Sequence, residues 1–195
     1  MARRLVVGKR RPVQQWNPEV SGEIDIRIGR DGTWYHDGAP IGRERMVALF
    51  ASVLRHDDDG VYYLVTPVEK LAIRVDDAPF LAVEMTVHGA GREQVLVFRT
   101  NVDEEVMAGP EHPIRIVVDG VDDEPSPYIH VRDRLEALIT RPVFYDLVEL
   151  GVEAELDGTA RLGVWSAGVF FPIARADALE DDEGDDGKGE DTGPP

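Results

Sequence analysis

The sequence predicts an α+β chain of two small domains, with mostly antiparallel sheets and a strand-turn-strand-helix-strand motif used twice. Three observations predict it. Short runs of alternating apolar and polar residues recur along the chain, as in Ile24, Ile26 and Ile28 against Asp25 and Arg27, the period of a half-buried strand. Two stretches carry apolar residues at helical spacing, one through Met46, Leu49 and Phe50 and one through Phe144, Leu147 and Val148, as amphipathic helices require. Finally, Ile41, Arg43, Met46 and Leu49 are matched by Ile139, Arg141, Phe144 and Leu147 at a constant offset of 98 residues, the mark of a divergent duplication.

The elements follow in order. Residues 1–20 hold Arg3, Arg4, Lys9, Arg10 and Arg11 with Pro12 and Pro18 and no lasting periodicity, so a flexible basic arm is expected. The strand at Ile24–Ile28 turns at Arg30-Asp31-Gly32, and Trp34-Tyr35-His36 pairs through Asp37-Gly38 with Ala39-Pro40-Ile41, since Asp-Gly supplies the positive φ a tight hairpin needs. A helix capped by Gly42 runs to Arg55-His56, where cations suit the dipole. After the Asp57-Asp58-Asp59-Gly60 turn come strands at Val61–Val65, Leu71–Val75, Phe80–Val87, Gln94–Phe98 and Ile114–Val118, then an acidic connector, Asp119–Pro127. Tyr128-Ile129-His130 opens the second copy. Leu135, Leu138 and Ile139 fit a helix by spacing and a strand by the repeat, and the strand is preferred. The second helix has Thr140 as N-cap, Pro142 in its first turn and Gly151 past its end. The hairpin Val152–Leu156, Asp157-Gly158, Leu162–Val164 reads as one the front copy lacks, with Gly168-Val169-Phe170-Phe171 answering Gly60-Val61-Tyr62-Tyr63. From residue 177 nine acids and one Lys predict a disordered acidic tail, 177–195.

Composition removes several classes of function. The 195 residues carry a net charge of −17, and the acidity lies mainly in the body and the tail. Such a body repels phosphate backbones, so no nucleic-acid partner is expected. The chain has no Cys, which excludes disulfides, thiolate metal sites and Cys nucleophiles. Leu5-Val6-Val7 is broken by Gly8-Lys9-Arg10-Arg11 and no run of eighteen apolar residues exists, so neither a secretory signal nor a membrane span is expected. The expectation is a cytoplasmic bacterial protein.

Chemistry concentrates at mid-chain. Phe98–Arg115 lies between two apolar runs yet gathers Arg99, Thr100, Asn101, Asp103, His112 and Arg115. No reaction motif accompanies it. Gly163-Val164-Trp165-Ser166-Ala167-Gly168 fails the nucleophile-elbow pattern because Val164 stands two before Ser166. No P-loop occurs, and His36, His56, His88, His112 and His130 show no metal-binding spacing. Asp57-Asp58-Asp59 is consecutive rather than alternating, with Val68 where a calcium loop needs Glu. No cofactor is expected. Trp34 and Trp165 read as core aromatics, and Arg43 and Arg141 sit at helix starts against the dipole.

The motifs Arg30-Asp31-Gly32-Thr33-Trp34, Leu64-Val65-Thr66-Pro67-Val68-Glu69-Lys70, Asp77-Ala78-Pro79-Phe80, Thr100-Asn101-Val102, His112-Pro113-Ile114-Arg115, Arg141-Pro142-Val143-Phe144-Tyr145 and Gly163-Val164-Trp165-Ser166 resemble the proteobacterial domain of unknown function family 1285. The resemblance covers roughly residues 22–174. It implies two α+β domains, set here at 21–78 and 79–176, the second similar to pleckstrin-homology-like folds. It also implies a ligand site at the domain interface and a role in signalling, with no established activity.

The favoured function is a non-catalytic ligand-binding or interaction module. Lys70, Arg115 and Arg132 are expected to meet an anionic group, and Thr100, Asn101, Asp103, His112 and His130 to orient the ligand. Partners are a small anion or a protein, with self-association into a homo-oligomer also expected. One alternative is a hydrolase using His112 or His130 with Asp103 or Glu69 as acid and base. Another is a protein scaffold anchored by exposed Tyr62, Phe80 and Phe170.

Overall fold

The computed structural model describes residues 11–118 and 125–175. The basic residues ahead of Arg11, most of the acidic connector and the acidic tail lie outside the described residues. The described chain is mostly β with two helices, and its sheets are largely antiparallel.

The front half holds β1 (Val20–Ile28), β2 (Trp34–His36), β3 (Ala39–Pro40), α1 (Glu44–Ser52), β4 (Leu54–His56), β5 (Tyr62–Val65) and β6 (Lys70–Val75). They form one sheet in the order β3-β2-β1-β6-β5-β4, antiparallel except where β1 runs beside β6. The back half begins with β7 (Phe80–His88), β8 (Val95–Thr100), β9 (Glu105–Met107), β10 (Ile114–Val118), β11 (Pro125–Arg132) and β12 (Leu135–Ile139). These make a second sheet, β10-β11-β12-β7-β8-β9, whose one parallel pair is β12 with β7. Then α2 (Arg141–Glu149) leads to β13 (Val152–Leu156), β14 (Thr159–Ser166) and β15 (Val169–Arg175), a three-stranded antiparallel sheet.

Several local expectations change. Residues 13–15 are not part of a loose arm: they form a 3-10 turn with Val13 buried, and Arg55 donates to the carbonyls of Val13 and Trp16 at 3.0 and 2.7 Å. Helix α1 stops at Ser52 with Arg43, not Gly42, at its N-cap. Leu54-Arg55-His56 is already a strand paired with Leu64, Tyr63 and Tyr62. The Asp57-Asp58-Asp59-Gly60 turn is what recruits these residues, because Asp57 N–H donates to Val61 and Gly60 N–H to Asp57. The front half therefore does possess a hairpin after its helix. Each helix is followed by three strands that pair antiparallel in sequence order. Leu135–Ile139 forms a strand rather than a helix. Strand β9 was missed because Glu105-Val106-Met107 is too short to alternate visibly, yet it pairs with Val97–Arg99.

The core is one contiguous cluster running from Ile26, Ile28, Trp34 and Leu54 through Phe80, Leu96 and Phe98 to Ile129, Leu135 and Leu147. Ser166 locks the third sheet onto the second. Fully buried, it donates to the Ala108 carbonyl at 2.7 Å and accepts from Leu96 N–H at 2.9 Å. That position has packing and hydrogen bonds but no room for nucleophilic chemistry. No helix among the described residues is long and apolar enough to cross a membrane.

The two halves meet along a polar seam. The Asp76-Asp77 connector is held by Arg27 to Asp76 and by Arg30 to Asp77 at 3.1 Å. Gly32 sits at φ +77°, and a Cβ there would come within 2.9 Å of Leu81 and 2.8 Å of the Asn101 amide. Both the turn and the close approach require glycine. Arg132 reaches across to donate to the Ala51 carbonyl at the end of α1, 2.8 Å.

Candidate functional site: a cleft at the seam

A cavity of about 320 Å³ opens between the halves, lined by His56, Tyr62 and Asp77 from the front and by Arg115, Tyr128 and Glu136 from the back, with Ala78, Pro79 and Val117 between them. Its walls are set by strand register. Arg115 on β10 lies opposite Tyr128 on β11. His56 on β4 lies opposite Tyr62 on β5.

The aromatic groups are stacked. The His56 and Tyr62 rings lie face to face, 4.1 Å between centroids and 7° apart. The Arg115 guanidinium sits 4.5 Å above the Tyr128 ring and binds both oxygens of Glu136, at 2.7 and 2.5 Å. That fork geometry is the strong form of an ion pair. Donating hydrogen bonds to Glu136 holds the guanidinium above its ordinary range. Asp77 accepts from the Tyr128 hydroxyl at 2.8 Å while also facing Arg30. Burial pushes the Tyr62 hydroxyl up from its ordinary value, and the charges of Glu136 and Asp77 push it further. For Tyr128 burial acts first and the bond to Asp77 adds to it.

Of the residues expected to bind a ligand, Arg115 alone lines this cleft, together with Tyr62, which was read as a scaffold anchor. Lys70 is buried, 2.6 Å from Asp57 and 4.0 Å over the Tyr63 ring. Arg132 pairs with Glu104 at 3.2 Å. Thr100 is fully buried, and its hydroxyl accepts from Glu104 N–H at 3.0 Å, which closes the β8–β9 turn. In that turn Asp103 takes φ 60° and pairs with Arg99 at 3.1 Å. Asn101 accepts from Leu81 N–H at 3.0 Å at the seam.

His112 and His130 do come together, with ring centroids 5.6 Å apart. His112 Nδ1 faces the His130 carbonyl at 3.1 Å. Both nitrogens of His130 face carbonyls, those of Glu111 at 2.9 Å and Asp133 at 2.7 Å. No ring nitrogen of His130 is left for a substrate, and no contact among the described residues joins either His to Asp103 or Glu69. Nor do the described residues hold a group of three His, Cys, Asp or Glu able to bind a metal ion. Phe80, read as an exposed anchor, is fully buried, while Tyr62 and Phe170 are half-buried.

Sequence reasoning missed His56, Asp77, Tyr128 and Glu136. Asp77 and Tyr128 were in view, as a turn former and as the opening of the repeat, but nothing local ties them to each other.

Two largely antiparallel β units with two helices and a polar-aromatic cleft at their seam define a two-domain α+β protein. The chain belongs to the DUF1285 family: residues 11–78 match the N-terminal domain of unknown function and residues 79–173 the C-terminal domain of the protein of unknown function. It is similar in structure to a DUF1285 family protein from Silicibacter pomeroyi DSS-3, at 50% identity and TM-score 0.82, covering 89% of this chain and 92% of that one. A DUF1285 family protein from Shewanella baltica OS155 is 27% identical with TM-score 0.49, covering 65% of this chain and 92% of that one. No curated protein matches the chain significantly.

Proposed function

We propose that the chain is a non-catalytic binding protein that takes a small ligand in the cleft between its halves, in a regulatory or signalling role. The observation that carries this reading is the lining. Aromatic and ion-paired side chains from β4, β5, β10, β11 and β12 converge with the connector on one cavity of about 320 Å³, within the usual range of about 300–1,000 Å³ for ligand pockets. A ligand there touches both halves at once, so its binding energy acts on their docking. This is the physical requirement for a module that reports occupancy.

The non-catalytic reading is supported by how the candidate acid–base groups are used. His130 has both nitrogens on carbonyls, Asp103 is paired with Arg99, and Ser166 is enclosed in the core. In this reading Arg115 stays in the site, while Lys70, Thr100, Asn101, Asp103, His112, His130 and Arg132 belong to the frame that shapes it. The shared order of elements after α1 and α2 and the 98-residue offset support a duplication as the origin of the two units. The likeness of the second unit to pleckstrin-homology folds belongs to the same proposal.

Thermal unfolding of the full chain against nucleotides, amines, organic acids and other metabolites tests the function. A ligand at a hundred times its Kd adds about 2.7 kcal/mol and raises the midpoint by roughly 5–10 °C at this size. The shift should vanish when Val117→Trp fills the cleft. A shift that survives this substitution, or none from any compound, refutes the reading.

A further inference from the structure

We propose that the cleft is built for a small organic cation, an amine or guanidinium on a short or planar body; the inference rests on the cleft being a ligand site. The cations that pointed to an anion are each already answered within the chain. Lys70 meets Asp57, Arg132 meets Glu104, and Arg115 is gripped by both oxygens of Glu136. None offers an uncompensated positive charge to a ligand.

The lining itself carries two carboxylates, Asp77 and Glu136, against one cation, Arg115, with Arg30 answering Asp77 from outside the lining at 3.1 Å. At the Tyr62 hydroxyl the carboxylates prevail. After burial, Glu136 and Asp77 are the larger influences raising its ionisation, and Arg115 offsets only part of them. The chain as a whole carries a net charge of −17. A cation approaching this face is attracted from a distance and an anion is repelled.

The cleft also shows how it would hold such a group. Arg115 is a planar cation lying on the Tyr128 ring with a carboxylate at its edge. The His56–Tyr62 stack sets a second aromatic wall within the same cavity. An aromatic face beside a carboxylate is the arrangement that binds organic cations, because the ring quadrupole and the carboxylate attract the same charge. A ligand amine or amidine would repeat against the His56–Tyr62 stack what Arg115 does on Tyr128.

The test uses two molecules of one shape and opposite charge, benzamidinium and benzoate, each titrated into the full chain with amide shifts read by two-dimensional NMR. Benzamidinium should bind about tenfold or more tightly than benzoate. Its shifts should map to the strands around Tyr62, Arg115 and Tyr128, weaken with added salt, and disappear in Val117→Trp. Asp77→Asn and, separately, Glu136→Gln should each weaken benzamidinium and narrow its advantage over benzoate. Benzoate binding as well as or better than benzamidinium at the cleft overturns the cation while leaving the cleft as a ligand site. Shifts that persist in Val117→Trp, or mapping elsewhere, overturn the inference and the binding site together. Absence of binding by both benzamidinium and tetramethylammonium up to their solubility overturns the inference alone.

Discussion

Asp57→Ala tests whether Lys70 is part of the frame or a free cation. Asp57 accepts from Arg55 at 2.5 and 2.9 Å and from Lys70 at 2.6 Å, and the Arg55 and Lys70 side chains are only 7% and 11% exposed. Removing one partner of a buried pair costs about 3–5 kcal/mol, because the other charge stays desolvated. Here Asp57 is 19% exposed, and Arg55 keeps the Val13 and Trp16 carbonyls. The expected loss is therefore smaller, about 2–3 kcal/mol.

Urea unfolding of the full chain measures it, and the pH profile supplies an independent check. Burial pushes the Asp57 carboxyl up, but hydrogen bonds from Arg55 and Lys70, with their charges, outweigh it and hold the group below its ordinary value. A depressed carboxylate contributes stability in full above the unfolded value of about 3.9 and loses it as pH falls through the folded value. The gap between wild type and Asp57→Ala should thus be full at neutral pH and narrow below about pH 4. A loss under about 0.5 kcal/mol, or a gap that widens in acid, refutes the framework role and returns Lys70 to the list of ligand contacts.

Other outcomes follow from single contacts. Ser166→Ala leaves the Leu96 N–H and the Ala108 carbonyl without their buried partner; a loss of about 1–3 kcal/mol is expected by urea unfolding, with ligand binding unchanged. Gly163→Ala places a Cβ 2.4 Å from Phe170 and 2.5 Å from the Phe171 carbonyl, so about 1–3 kcal/mol or more should be lost by the same measurement. In a spectrophotometric titration Tyr62, Tyr63 and Tyr128 should ionise above the ordinary tyrosine range. Tyr62→Phe should remove one of these late steps, and Glu136→Gln should lower the Tyr62 step.

The sheets were legible wherever burial is one-sided. Ile24-Asp25-Ile26-Arg27-Ile28 alternates because one face of β1 meets the core and the other meets water. The second helix was legible for a different reason: Thr140, Pro142 and Gly151 are local stop and start chemistry that owes nothing to distant contacts. The end of α1 was not, because Val53 and Leu54 satisfy a helical face and a strand equally well. Only the pairing of Leu54 with Leu64 decides between them. The same limit hid the site. Polar loop residues such as Thr100 and Asp103 look like ligand groups in sequence, whereas their partners are the backbone and side chains of their own hairpin.

Asp77 shows why the cleft could not be read locally. Its neighbours Asp76, Ala78 and Pro79 are turn formers, and as a turn former it needs no further explanation. In the folded chain it faces Arg30 of the front half and Tyr128 of the back half at the same time. Arg30 in turn reaches Ser126, one strand position from Tyr128's neighbour Pro127. The connector is therefore also the latch, and the cavity beside it exists only when both halves are docked. In the proposed reading, a ligand that draws on the Asp77 charge would compete with Arg30 for it, which would couple occupancy and docking through one side chain. If that coupling holds, Arg30→Ala should loosen the seam, measured as faster amide exchange at Leu81 and Asn101. It should also strengthen benzamidinium binding by freeing a carboxylate in the cleft. Loosening with weaker binding would mean that Arg30 serves the cleft only by shaping it.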